Sequence, residues 1–279
     1  MTMLRRVLVG LTCGFIAVAP ARAQIDVGSA ESLMRQSGLW LQLDGVVQQV
    51  RAGTLAALAN APTQPSASEV ARLTGAIDAA YATDKLRAVA LATLTGGIDA
   101  RQVTALRRWF DSPLGRAVTQ LEEAASVDTA EPPALMQQGT ALLEAMPAER
   151  RALLAELVQV SRTADVATEL TINTSLAAMR GLASVQPGTP PDALERLSAA
   201  LEGQRPQLMQ SFTALSLAAF AKSYQALASP DLMRYVEFLK SAAGQHFSQV
   251  AARALEAAMV EASTDYGRRL PATRSGANA

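Results

Sequence analysis

Apolar residues return every three to four positions along almost the whole chain. Leu208, Phe212, Leu215, Ala219 and Ala226 trace one such stripe, and Phe220, Tyr224 and Leu227 widen it. This spacing is the period of a helix that buries one face. Strands would need a sustained two-residue alternation, which no segment keeps. Residues 168–174 are rich in β-branched side chains, yet Val166, Leu170, Thr174 and Ala177 hold the helical step there. The pattern predicts an all-α chain.

Polar residues punctuate the helices. Asp99 stands three positions before Gln102, a capping-box spacing. Ser229-Pro230-Asp231 predicts a cap, a first-turn proline and an acid near the positive end of a helix. Asp192 is expected to open a helix over residues 193–204, with Pro206 starting the next. Gly96-Gly97 and Gly188 mark helix ends. Residues 60–68 and 128–133 are rich in Pro, Ser or Thr and read as connectors.

One unit of this punctuation occurs twice. Trp109-Phe110-Asp111-Ser112-Pro113-Leu114-Gly115-Arg116 is echoed 129 residues later by Phe238-Leu239-Lys240-Ser241-Ala242-Ala243-Gly244-Gln245. The match extends outward through Leu86 with Leu215, Leu91 with Phe220, Ile98 with Leu227, Val103 with Leu232 and Leu106 with Tyr235. Nearer the N-terminus the offset becomes 124, pairing Met34 with Val158, Val46 with Leu170, Leu55 with Met179 and Leu58 with Leu182. A recurring unit of this length implies two related multi-helix units in one helical bundle. Residues 24–127 form the first unit and 150–266 the second. Residues 128–149 connect them, and 267–279 form a tail expected to be disordered.

The unit predicts a corner. Pro113 disfavours helical conformation at Ser112, so the helix carrying Trp109 and Phe110 should stop there. Ser112 can cap the following helix, Pro113 suits its first turn, and Gly115 permits a close backbone approach. Trp109 is expected to be buried. The second copy keeps Phe238, Leu239, Ser241 and Gly244 but has Ala242 in place of Pro113, so its corner is less enforced and weaker or no interruption of the helix is expected there.

Two large apolar residues followed by Ser-Pro-x-Gly and a basic or amide residue, at Trp109 to Arg116, resemble the exported bacterial domain of unknown function family numbered twenty fifty-nine. The resemblance covers about residues 80–126 and, less closely, 215–260. It implies an exported helical domain and supplies no catalytic residues. The second copy departs from the pattern at the positions of Phe110 and Pro113.

The N-terminus adds a location. Arg5 and Arg6 precede a short apolar run over residues 7–18, and Ala21-Arg22-Ala23 reads as a cleavage site before Gln24. Residues 1–23 are therefore expected to be a cleaved signal peptide, which places the protein in the periplasm or outside the cell. The apolar run is about half the ~20 residues of a spanning helix, so no transmembrane anchor is expected after cleavage. Cleavage would also remove Cys13, the single cysteine, and with it any thiolate chemistry. The whole chain balances 25 basic against 25 acidic residues. Loss of Arg5, Arg6 and Arg22 leaves a slightly acidic protein without a basic stripe, which argues against nucleic acid as a partner.

Candidate chemistry is sparse. His246 is the only histidine; a nucleophilic triad would need it, with Ser241, Ser248 or Asp265 close by in sequence. Its counterpart in the first copy is Ala117. Histidine-based metal sites need more such ligands, and no phosphate-cradling glycine loop is present. Glu122-Glu123 and Glu144 with Glu149 are the paired carboxylates; adjacent helical positions point apart, so Glu122 and Glu123 read as a solvated face. Met136, Met146, Met179, Met209, Met233 and Met259 read as core filling, as do Trp40 and Trp109. No cofactor is expected. These features predict a non-enzymatic, exported interaction module of the bacterial envelope that binds a partner protein or apolar ligand in a groove between its related halves. A periplasmic carrier of a hydrophobic small molecule is the alternative, and a hydrolase using His246 or paired carboxylates is the third reading.

Overall fold

Twelve α-helices account for most of the residues described by the computed structural model, 25–126, 132–186 and 188–270, and no β-strand occurs among them. In chain order they are α1 (Val27–Gln36), α2 (Leu39–Ala59), α3 (Ala67–Ala80), α4 (Thr83–Gly97), α5 (Ala100–Phe110), α6 (Pro113–Ser126), α7 (Pro132–Ala145), α8 (Ala148–Ser161), α9 (Thr163–Val185), α10 (Ala193–Ser223), α11 (Ser229–Lys240) and α12 (Ala242–Arg269). The fold is the expected all-α bundle. The leader over residues 1–23 and its cleavage site at Ala23 and Gln24 lie outside the described residues, as does most of the tail. No described helix is long and apolar enough to cross a membrane.

Local chemistry sets many of the helix boundaries. Asp99 accepts from the amides of Arg101 and Gln102 while the Gln102 side chain accepts from the Asp99 amide, completing the predicted box at the start of α5. Ser66 and Glu69 do the same for α3.

Several boundaries differ from expectation. At α11 the cap position is Ala228; Ser229 is already helical, and its hydroxyl accepts from the Arg150 guanidinium at 3.0 Å. Arg150 also donates to the Tyr224 and Leu227 carbonyls, so a cation from α8 secures the turn where a serine cap was expected. Pro206 does not begin a helix but lies inside α10, which runs unbroken for 31 residues. Proline there removes one backbone donor; its face is exposed, where water can serve the freed carbonyl. The connector over residues 128–149 holds a helix of its own, α7, packed along α10. α12 continues to Arg269, three residues into the expected tail, because Gly267 lies against the Ala178 carbonyl of α9 too closely for any side chain.

Several positions related by the sequence offsets are placed alike. The pairs Ala30 with Leu154, Leu33 with Leu157 and Met34 with Val158 keep the 124-residue offset, and all six are buried. The joint between α1 and α2 passes through Gly38 at φ +75°, and that between α8 and α9 passes through Arg162 at φ +55°. These two residues are also 124 apart. From α4 onward the offset is 129, and α10 spans what α3 and α4 cover as separate helices.

Their cores are crossed. One cluster joins buried residues of α1 to α5 with Phe247, Val250, Ala254, Ala258 and Ala262 of α12. The other joins residues of α8, α10 and α11 with Val118 of α6. The last helix of each unit therefore packs on both cores: α12 also lies along α9, and α6 also lies against α2 and α5. Trp109 and Phe238 pack against both clusters, at the point where the chain changes sides.

Candidate functional site

Both motif copies fold into the same corner. Ser112 Oγ accepts from the Gly115 amide at 2.9 Å, and Ser241 Oγ accepts from the Gly244 amide at 3.1 Å. These are N-cap bonds to the first free donors of α6 and α12. A Cβ on Gly115 would lie 2.8 Å from the Trp109 carbonyl carbon, and one on Gly244 would lie 2.9 Å from that of Phe238. The first turn of the outgoing helix thus rests on the last turn of the incoming one, and only glycine fits between. The residue after the glycine completes the corner. Arg116 donates to the Asp111 carbonyl, and Gln245 donates to the Lys240 carbonyl at 2.9 Å.

The second copy is interrupted as well, by one residue where the first is interrupted by two, so the weaker interruption expected there is found and a continuous helix is not. Ser241 is extended, at φ −64° and ψ 154°, and ends α11 sharply. Serine and glycine suffice for the corner, and Pro113 only lengthens its break from one residue to two.

The corners cross with their aromatics in contact. Trp109 and Phe238 stack at 4.3 Å between ring centroids, within 4° of parallel. Tyr235 also stacks on the indole, at 5.7 Å, and Phe110 meets Phe238 edge-on at 6.1 Å. Phe110 and Leu239 are buried, as the motif predicts. Trp109 is only half-buried, which corrects the expectation of full burial. Its exposed edge, with Phe238, lines a groove of about 690 Å³ between the first corner and α11. Leu114 and Leu227 add apolar wall, Arg108 and Arg234 add positive charge, and Asp231 adds a carboxylate. Arg234 is two-thirds exposed and pairs with Asp231 at 3.2 Å.

Behind the aromatic floor lies a carboxyl that the sequence reading placed in solvent. Glu122 Oε1 accepts from Tyr224 Oη at 2.6 Å and from Tyr235 Oη at 2.7 Å. Glu122 as a residue is half-buried, but its carboxyl end is enclosed. Burial pushes its pKa up, and the two hydroxyls only partly offset that. Both tyrosines are pushed well up, first by burial and then by the nearby carboxylate. Helical register held the missed signal: Glu122 lies seven residues after Gly115 and four after Val118, on the buried face of α6.

The other candidates are dispersed. His246 Nε2 lies 2.8 Å from the Gly97 carbonyl. Ser241 Oγ is committed to its cap and to the Phe238 carbonyl, and Asp265 pairs with Arg269 and Lys85. Glu144 and Glu149 are exposed. Met146 and Met259 pack against the cores as expected, Met136, Met179 and Met209 are half-buried, Met233 is exposed, and Met34 is fully buried. Trp40 lies half-buried between the guanidinium groups of Arg35 and Arg87, at 3.8 and 4.1 Å. No group of three or more acidic or histidine side chains arranged to hold a metal ion occurs among the described residues. The chain matches no family model, no curated protein and no solved structure.

Proposed function

We propose that this protein is an exported, non-enzymatic interaction module whose groove at the crossed corners holds a segment of a partner protein. The observation that carries the reading is the groove itself. It is open, floored by a half-buried Trp109–Phe238 stack and flanked by Arg108 and Arg234. Aromatic rings beside arginines form adaptable contact surfaces and dominate many interfaces. The two arginines favour a segment in which a carboxylate neighbours an apolar side chain. An open groove supports a partner module over a carrier, whose hydrophobic cargo needs an enclosed cavity.

Export through residues 1–23 and a periplasmic location belong to this proposal, resting on the n-region, apolar run and cleavage pattern. Tandem duplication belongs to it as well, supported by the paired corners, the shared left-handed joints and the matched buried positions. In the test, the purified chain selects from a displayed library of peptides of mixed charge. Enrichment of acidic-apolar sequences by the parent, and its loss in the surface variant Arg108→Glu/Arg234→Glu with unchanged melting, is expected. Enrichment that is unaffected by the charge reversal would place binding elsewhere.

A further inference from the structure

We propose that Glu122, Tyr224 and Tyr235 form a proton-operated latch that governs how closely α6 and α11 approach beneath the groove. The inference rests on the groove reading only for its consequence, since the latch itself is a property of the fold.

Three elements meet at one oxygen. Glu122 projects from α6, Tyr224 from the end of α10 and Tyr235 from α11, and both hydroxyls donate to Glu122 Oε1. α6 contributes Pro113, Leu114 and Ala117 to one wall of the groove, and α11 contributes Asp231, Arg234 and Phe238 to the other. The carboxyl is therefore a polar tie between opposite walls. The tie continues into the floor, because the Tyr235 ring is stacked on Trp109 and Trp109 on Phe238.

Linkage fixes the direction. In the closed arrangement the carboxyl is enclosed, which favours its neutral form. Once α6 and α11 part and water enters, the carboxyl regains its ordinary acidity. The closed form thus binds the proton more tightly, so acid holds the latch shut and rising pH releases it. The groups facing Glu122 are Tyr224 from α10, Tyr235 from α11 and Glu123 from its own helix, whose negative charge adds to the preference for a proton. Arg150 of α8, the cation at the adjoining turn, is committed to the Tyr224 and Leu227 carbonyls and to Ser229.

The test uses the full chain carrying Trp40→Phe, so that tryptophan emission reports Trp109. Emission is followed across about pH 4 to 8, the range of shifted carboxyls and histidine. A single transition is expected in the parent. It should be absent in Glu122→Gln, unchanged in His246→Ala, and moved to higher pH in Tyr235→Phe, which lacks one donor to the carboxylate. A flat parent trace with constant helicity overturns the latch, as does a Glu122→Gln trace that matches the parent. Should Glu122→Gln fail to fold, the Tyr235→Phe displacement decides alone, and an unmoved midpoint there overturns the proposal. Binding of an acidic-apolar peptide is measured separately on the same proteins. Its absence at every pH would count against the groove reading, while the emission traces still decide the latch.

Discussion

Trp109 and Phe238 occupy the same position in two corners 129 residues apart, and they stack on each other at 4.3 Å. A contact between residues in matching positions resembles the self-complementary interface of a twofold dimer. The stack should therefore couple the units energetically. A double-mutant cycle of Trp109→Ala and Phe238→Ala should give a coupling of about 0.5–1.5 kcal/mol, the range for aromatic pairs. Trp109→Ala alone should cost somewhat less than the ~3–5 kcal/mol of a fully buried tryptophan, because one edge of the ring is already in water. Denaturant unfolding of the four proteins measures both quantities. Strict additivity would mean that the rings are adjacent without interacting.

The corners should share one pattern of sensitivity. Gly115→Ala and Gly244→Ala each drive a methyl into a carbonyl and should cost at least about 1–3 kcal/mol, as overpacking does. Ser112→Ala and Ser241→Ala should each cost about 1 kcal/mol, the usual loss of a cap. Pro113→Ala should leave the corner intact, since Ala242 already serves there in the second copy. Thermal melts of the five variants test this ranking, and a Pro113→Ala effect larger than that of Gly115→Ala would reverse it.

Arg162 holds a backbone conformation that its counterpart, Gly38, adopts without strain. Left-handed backbone costs a non-glycine residue roughly 1–2 kcal/mol. Arg162→Gly should therefore raise stability by up to about 1 kcal/mol, after the entropy that glycine adds to the unfolded chain. Gly38→Ala should lower it. Chemical denaturation of both variants gives the two signs, and a destabilised Arg162→Gly would show that its side chain contributes more than the strain costs.

The Glu122 carboxyl has a pKa raised in the folded state above its unfolded value of about 4.3. Its favourable contribution is complete below the unfolded value and is lost as pH rises through the folded one. The stability of Glu122→Gln relative to the parent should accordingly increase with pH across that window and then level off. Urea unfolding at a series of pH values reads this difference directly. A difference that stays constant with pH would mean that the carboxyl is hydrated in the folded protein.

What the sequence disclosed depended on how local its cause was. The corner was legible at Ser112 and Gly115 because a cap and a close approach act within four residues. Pro113 misled for the same reason: it is the strongest local signal, yet the second corner forms without it. The half-burial of Trp109 was not legible, because an apolar residue on a helix face looks the same whether it meets a core or a groove. The packing of α6 and α12 across both units was hidden likewise, since the stripe of Val250, Ala254 and Ala258 specifies an apolar partner but not which one. Glu122 was overlooked because its neighbour Glu123 suggested a solvated pair, while the helical register from Gly115 through Val118 already pointed it inward.

Titrating the Trp40→Phe chain with a peptide carrying a carboxylate beside an aromatic residue tests the central claim most directly, with Trp109 emission as the readout. A saturable change in emission is expected, weakened at least tenfold in Arg108→Glu/Arg234→Glu at unchanged melting temperature, which corresponds to about 1.4 kcal/mol or more of binding free energy. Binding that leaves Trp109 emission unaltered, or that is equally tight in the charge-reversed protein, would contradict it.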